Sequence, residues 1–337
     1  MNTKKHTIST RMRIIAAAIL CCCAVLITAI ALLSSVAPPV NNNPPITNTS
    51  IEPAPIDAPY MIAWMSDTQY YAESYPEIFN SITDWIASNH TRLNIEYVVH
   101  TGDVVNSYDD SVQWANAKAA LSVLDGKVPL HAVAGNHDID NDHQRYDAYL
   151  ELLGEDRFDS LATFGGSFDG GKGRYDLLDI DGEPVILLSV GYWVNTAEIE
   201  WLNQTLREYV DRTAILCFHS YIDTDESLTT DGKRLYTDVV AQNPNVKLVL
   251  CGHRHGVNHF AATFDDNGDG TPERTVYQLV ADYQNEPNGG GGYLCLLSFD
   301  SSARQINVTS YSPYLDDYNY LDDNTGLEEF TLPWIFD

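Results

Sequence analysis

The stretch Val128-Pro129-Leu130-His131-Ala132-Val133-Ala134-Gly135-Asn136-His137-Asp138 decides how the rest of the chain is read. It opens as a mostly apolar run of strand length and breaks at a glycine followed by amide, imidazole and carboxylate. The same design recurs on either side. The run 61–65 ends on Ser66-Asp67-Thr68-Gln69, 95–100 on Thr101-Gly102-Asp103, 214–218 on His219, and 246–251 on Gly252-His253-Arg254-His255. Between these runs lie amphipathic stretches at 77–88, 112–124, 145–153, 197–209 and 235–242. In the first of them Ile78, Ile82, Trp85 and Ile86 recur at helical spacing. Alternating strands and helices predict an α/β fold, in which loops leaving the carboxyl ends of parallel strands form the ligand-binding edge.

Past residue 256 the pattern changes to consecutive β-like runs at 257–263, 275–280, 293–299 and 305–311. No Pro- or Ser-rich linker precedes them, so they are expected to extend the same sheet system, giving a domain over 59–337 with its motifs at 67–255 and a β-rich part at 256–337. The turn Asp265-x-Asn267-x-Asp269-Gly270 imitates the start of a calcium loop. Val276 stands where that loop needs its final glutamate, so a polar hairpin is expected, with weak calcium binding left open.

Composition narrows the function. The 337 residues carry 19 Lys plus Arg against 47 Asp plus Glu, a net charge of -28, which repels nucleic acid backbones. A hydrophobic content of 44% is ample for a core. Residues 14–33 are uncharged and apolar, and Lys4, Lys5, Arg11 and Arg13 precede them. That arrangement predicts a single-pass membrane anchor with 1–13 in the cytoplasm and the catalytic part outside, or a cleaved signal and a secreted protein. Residues 34–58 are rich in Pro and Asn and read as an extended linker. Cys217, Cys251 and Cys295 each lie inside an apolar run and read as core thiols.

Carboxylate, amide and imidazole without thiolate form a donor set for borderline or hard ions, with manganese, iron and zinc the leading choices. Seven donors are too many for one tetrahedral site and suit two metals that share a bridging water and act on an in-line displacement. With Asp67 and Asp103 as its only anions, such a site becomes net positive when loaded, and so can hold a phosphate within an acidic protein.

The ordered set Asp67, Gly102-Asp103, Gly135-Asn136-His137-Asp138, His219 and Gly252-His253-Arg254-His255 resembles the calcineurin-like metallophosphoesterase family over residues 59–258. The resemblance implies a four-layer sandwich of two mixed β-sheets flanked by helices. It also implies a dinuclear centre in which Asp67, Gln69 and His255 hold one ion, Asn136, His219 and His253 the other, and Asp103 bridges them. His137 would be the general acid, oriented by Asp138, in a phosphatase or phosphodiesterase that hydrolyses a small phosphate ester without a covalent phosphoenzyme. The chain departs from the family's Asp-x-His at Asp67-Thr68-Gln69. Gln at this place is similar to branches that hydrolyse phosphoanhydrides, so a nucleoside-diphosphate-type diphosphatase is the alternative activity. A catalytically weak, metal-stabilised binding module is a reading from another class, and retention of His137 argues against it. His100 and His131 read as structural, and the oligomeric state is left open.

Overall fold

The computed structural model describes residues 58–318, 320–321 and 325–336. The strands are β1 (Tyr60–Met65), β2 (Ile95–His100), β3 (Leu130–Ala132), β4 (Phe164–Phe168), β5 (Gly173–Ile180), β6 (Glu183–Val190), β7 (Thr213–Phe218), β8 (Val246–Cys251), β9 (Gly256–Phe264), β10 (Arg274–Asp282), β11 (Leu294–Asp300), β12 (Gln305–Ser312), β13 (Asp317–Tyr318) and β14 (Phe330–Pro333). They form two mixed sheets. The first has the order β13-β12-β11-β1-β2-β3 with β14 also on β12, and the second has the order β4-β5-β6-β7-β8-β10-β9. In the first sheet β1, β2 and β3 run parallel; in the second β6, β7, β8 and β10 do.

Period-two alternation assigns each side chain to a layer. From β1, Ala63 and Met65 face the helices α1 (Gln69–Ser74), α2 (Pro76–Leu93) and α3 (Ser111–Leu121), while Ile62 and Trp64 face the second sheet. From β7, Ile215 and Cys217 point between the sheets, and Leu216 and Phe218 point out toward α6 (Thr196–Glu208) and α7 (Thr230–Asp238). Two smaller helices, α4 (Asp147–Leu153) and α5 (Glu155–Phe158), complete the first helical layer. Three apolar layers separated by two sheets make the four-layer sandwich that the resemblance implies. Strands buried on both faces explain why these runs look continuously apolar. Cys217, Cys251 and Cys295 are buried free thiols within it.

Some boundaries differ from the sequence expectation for local reasons. The run 128–134 is a regular strand only at Leu130–Ala132, because Pro129 has no N–H and the chain turns at Gly135. Its Pro129 carbonyl still accepts from Val98 N at 2.9 Å, and Val133 N donates to His100 O at 2.9 Å. Helix α7 starts at Thr230, ahead of the apolar stretch at 235, since Thr229 Oγ1 accepts from Gly232 N at 3.0 Å and caps it. Strand β4 has a Phe-Gly-Gly-Ser-Phe sequence that reads as a turn, yet it pairs with β5.

One expectation does not stand. No helix among the described residues is long and apolar enough to cross a membrane. The stretch 14–33 lies outside the described residues, as do 1–13 and the linker up to residue 57. The single-pass placement with an outward-facing catalytic domain is therefore not upheld, and the structure supports no particular localisation.

Candidate metal centre

Both sheets deliver polar residues to one edge, at the carboxyl ends of their parallel strands. Asp67 follows β1, Asp103 follows β2 and the Gly135–Asp138 turn follows β3; His219 follows β7 and His253 follows β8. Asp67, Asp103 and His253 have φ of 53°, 54° and 69°, a left-handed conformation that costs free energy in a non-glycine residue and concentrates at functional sites. Gly135 and Gly252 make room for them: a Cβ at Gly135 would overlap the Asp103 carboxylate, and one at Gly252 would overlap Ser66 and Asp67.

The donors converge. His219 Nε2 lies 2.9 Å from Asn136 Oδ1, 3.1 Å from His253 Nδ1 and 3.4 Å from Asp103 Oδ2. Ligand atoms of Asp103, His219 and His253 all lie within 4.8 Å of one another. His219 Nδ1 donates to Thr101 O at 2.9 Å, which leaves Nε2 to the cluster and fixes the ring. Asp67 accepts from His253 N at 3.2 and 3.1 Å. A donor chain also reaches it, from Trp64 Nε1 to Thr101 Oγ1 at 2.9 Å, on to Ser66 Oγ at 2.7 Å, and from Ser66 to Asp67 Oδ2.

The electrostatics reflect crowded acceptors. Burial would push His219 down, but the Asp103 carboxylate, Asp67 and the Thr101 carbonyl outweigh it and bring the ring to about 10. Burial works to raise Asp103, and His219 and His137 overcome it and hold the carboxyl below its usual range. Burial and then Asp282 push Asp67 well up, and burial and then Asp103 push Asp138 up to about 7. His253 falls to about 3, through burial and then the neighbouring His219.

These residues fit a cation. Amide oxygen, carboxylate and imidazole nitrogen crowd together at the strand ends, and Gln69 Oε1, on a side chain with 1% exposure, has no hydrogen-bond partner at all. Buried acceptors without donors are costly unless something positive satisfies them. His255 stands apart: it is exposed and outside the converging set, and it only partly offsets the burial that raises the Asp282 carboxyl.

His137 and Asp138 divide differently from the sequence reading. His137 N donates to Asp103 Oδ1 at 2.8 Å, and its Nδ1 lies 2.8 Å from Asn106 O. Asp138 does not orient His137. Its Oδ1 accepts from Val104 N at 2.8 Å and Val105 N at 3.0 Å, and its Oδ2 accepts from Gly135 N at 2.8 Å. It clamps the loop after β2 to the turn after β3, and the Asn106 carbonyl takes the orienting role. Beside His137 opens a cleft of about 290 Å³, lined by Asn106, Tyr108, Asn136, Asp140 and Asn141 among others.

His100 and His131 are buried in other contacts. Thr68 Oγ1 and His100 Nε2 are 2.9 Å apart, and Gly102 N donates to His100 Nδ1 at 3.2 Å. His131 lies between Asp176 and Ser189. The turn after β9 is a hairpin in which Asp265 accepts from the backbone N–H of Gly268, Asp269 and Gly270. Three residues at the edge were missed. Tyr192, after β6, sets its ring 5.9 Å from that of His219 and 5.8 Å from that of His253. Asp282 ends β10 and Gln284 follows it; both are buried beside Gln69. The signal was weak in each case, since Gly191 separates Tyr192 from its strand and Ala281 separates Asp282 from the run 275–280.

The calcineurin-like phosphoesterase family model matches residues 60–257. Uncharacterized protein YvnB of Bacillus subtilis is 45% identical over 276 residues, 81% of this chain and 21% of YvnB. A probable cyclic nucleotide phosphodiesterase of Moraxella catarrhalis is 27% identical over 181 residues, 50% of this chain and 61% of that protein. The chain thus spans less than two thirds of either relative. Among solved structures, the purple acid phosphatase PPD1 from seeds of yellow lupin (Lupinus luteus) has the same fold, with a TM-score of 0.55 and 12% identity over 81% of this chain and 53% of that one. The family match takes in every strand end from Asp67 to His255, and on it the chain belongs to the calcineurin-like phosphoesterase family.

Proposed function

We propose that the protein is a metal-dependent hydrolase of a small phosphodiester. One observation carries the reading: His219 Nε2 lies within 3.4 Å of Asn136 Oδ1, His253 Nδ1 and Asp103 Oδ2, so that oxygen and nitrogen ligand atoms from four strand ends converge. Asn136, His219 and His253 would hold one ion, Asp67, Gln69 and the rim residue His255 the other, with Asp103 between them. Oxygen and nitrogen donors without thiolate suit manganese, iron or zinc. Bound there, such ions lower the pKa of water and offset charge on phosphoryl oxygens.

The chain's own groups supply the rest. Asn106 O accepts from His137 Nδ1, so Nε2 is the atom left for substrate, and protonated it hands its proton to the departing oxygen. The contact from His137 N to Asp103 ties that acid to the carboxylate that would stand between the ions. A phosphodiester is favoured because the Moraxella relative is a probable cyclic nucleotide phosphodiesterase. Gln69 favours a phosphoanhydride as second substrate class.

The test uses metal-stripped protein reloaded in turn with manganese, iron and zinc and assayed on a model monoester, a diester and pyrophosphate. Metal-dependent diester turnover that disappears in Asp103→Asn is expected. Dominant pyrophosphate turnover replaces the diester with the anhydride, and equal turnover by wild type and Asp103→Asn overturns the hydrolase.

A further inference from the structure

The end of β10 brings two buried side chains against Gln69 that the hydrolytic reading leaves unused. Asp282 has 0% exposure and Gln284 has 7%. Gln284 N donates to Asp282 Oδ1 at 3.0 Å, and Gln284 Nε2 donates to Asp282 Oδ2 at 3.1 Å. A carboxylate accepts only, so Asp282 fixes which way the Gln284 amide faces: nitrogen toward Asp282, oxygen toward Gln69. Gln69 Nε2 then donates to Gln284 Oε1 at 2.5 Å and to Asp103 Oδ2 at 3.4 Å. Both amide protons are used, and Oε1 is left buried with no donor. Turning the Gln69 amide over would put its oxygen against the Gln284 oxygen and the Asp103 carboxylate.

An amide ligand has a weakness that imidazole lacks. Its terminal torsion is broad, and a half-turn exchanges the metal-binding oxygen for a nitrogen that cannot bind a cation. Thr101 O holds the ring of His219, and Gln69 needs an equivalent hold. The turn after β10 adds to it: Gly292 N donates to Tyr71 Oη at 2.9 Å, pinning that turn to helix α1, whose first residue is Gln69.

We propose that Asp282 and Gln284 are positioning residues for the first metal ion, a relay of carboxylate to amide to amide that keeps Gln69 Oε1 turned toward the cation. The inference rests on the reading of Gln69 as a ligand. It makes the strand beyond the recognised motifs a working part of the centre and accounts for Gln serving where the family has His.

The experiment is calorimetric titration of the metal-stripped full chain with Mn²⁺, reading stoichiometry and both dissociation constants. Two ions per wild-type chain are expected. Gln284→Met should weaken one of them by about 10- to 100-fold and leave the other within about twofold. Gln69→Ala should weaken the same ion, and Gln69→Ala/Gln284→Met should bind no more weakly than Gln69→Ala, because the relay acts only through Gln69. Should Gln284→Met lose its folded melting transition, isosteric Asp282→Asn reads the same ion in the same direction. Unchanged affinities in the folded variant, equal weakening of both ions, or additive effects in the double variant overturn the proposal. No Mn²⁺ binding by wild type, or none affected by Gln69→Ala, removes the ligand reading beneath it, and is told apart by involving neither Gln284 nor Asp282.

Discussion

Two polar clusters lie buried in this sandwich, and they are wired in opposite ways. One ties β3 to β5 and β6: Arg174 Nη2 donates to Asp176 Oδ1 at 2.8 Å, His131 Nδ1 donates to Asp176 Oδ2 at 2.6 Å, and Ser189 Oγ meets His131 Nε2 at 2.7 Å. Both oxygens of the Asp176 carboxylate meet a donor. The other lies at the strand ends, where His219 Nε2 lies within 3.4 Å of Asn136 Oδ1, His253 Nδ1 and Asp103 Oδ2. Burial and charge are common to both. What separates them is that the strand-end cluster keeps a buried acceptor, Gln69 Oε1, without a donor.

Substitutions sharpen the contrast, beginning with the largest effect. Asp103→Asn should cut kcat/KM by about 10⁴-fold and lower the Mn²⁺ stoichiometry, as loss of a metal's charge compensation costs several kcal/mol. Asp176→Ala should do the reverse. It strands buried Arg174 and His131 and lowers stability by about 3–5 kcal/mol in denaturant unfolding, with Mn²⁺ stoichiometry unchanged. A variant that lost both stability and metal would break the division.

Third, His137→Ala should slow turnover by about 10²- to 10⁴-fold on alkyl esters and by far less on a nitrophenyl ester, whose leaving group needs no acid. Equal losses on both esters would remove the proton-donor role. The smallest effect is a pH slope. Burial holds His131 below its ordinary value of 6.5, against the pull of Asp176. Below about pH 6.5 the unfolded chain takes a proton that the folded ring refuses, so stability falls as pH falls. The slope is at most about 1.4 kcal/mol per pH unit, and His131→Leu should lack this share of it when unfolding is followed from pH 7 to 5.

The two clusters also differed in how far the sequence disclosed them. Asp67, Asp103, Asn136, His219 and His253 were legible because each stands at the end of an apolar run, and a parallel α/β arrangement gathers such ends at one edge. The fold class followed from the same alternation. Which strands share a sheet did not: β10 lies parallel to β8 only after β9 has folded back antiparallel beside it, so nothing in the sequence ranks Asp282 and Gln284 with the strand-end donors. The hold on His137 comes from Asn106 O, and a main-chain carbonyl leaves no mark in a sequence. For the same reason Asp138, beside His137 in the chain, was assigned to it, whereas backbone N–H groups of Val104, Val105 and Gly135 claim its carboxylate. His131 is equally polar but sits inside a strand, where sequence could mark it only as structural.

The converging set draws Asp103 and Asn136 from one sheet and His219 and His253 from the other. An occupied centre is therefore a clasp across the apolar seam between the layers. Any slippage of one layer against the other would first be felt as a loosened grip on the ion, so metal release would serve as an early gauge of the sandwich coming apart.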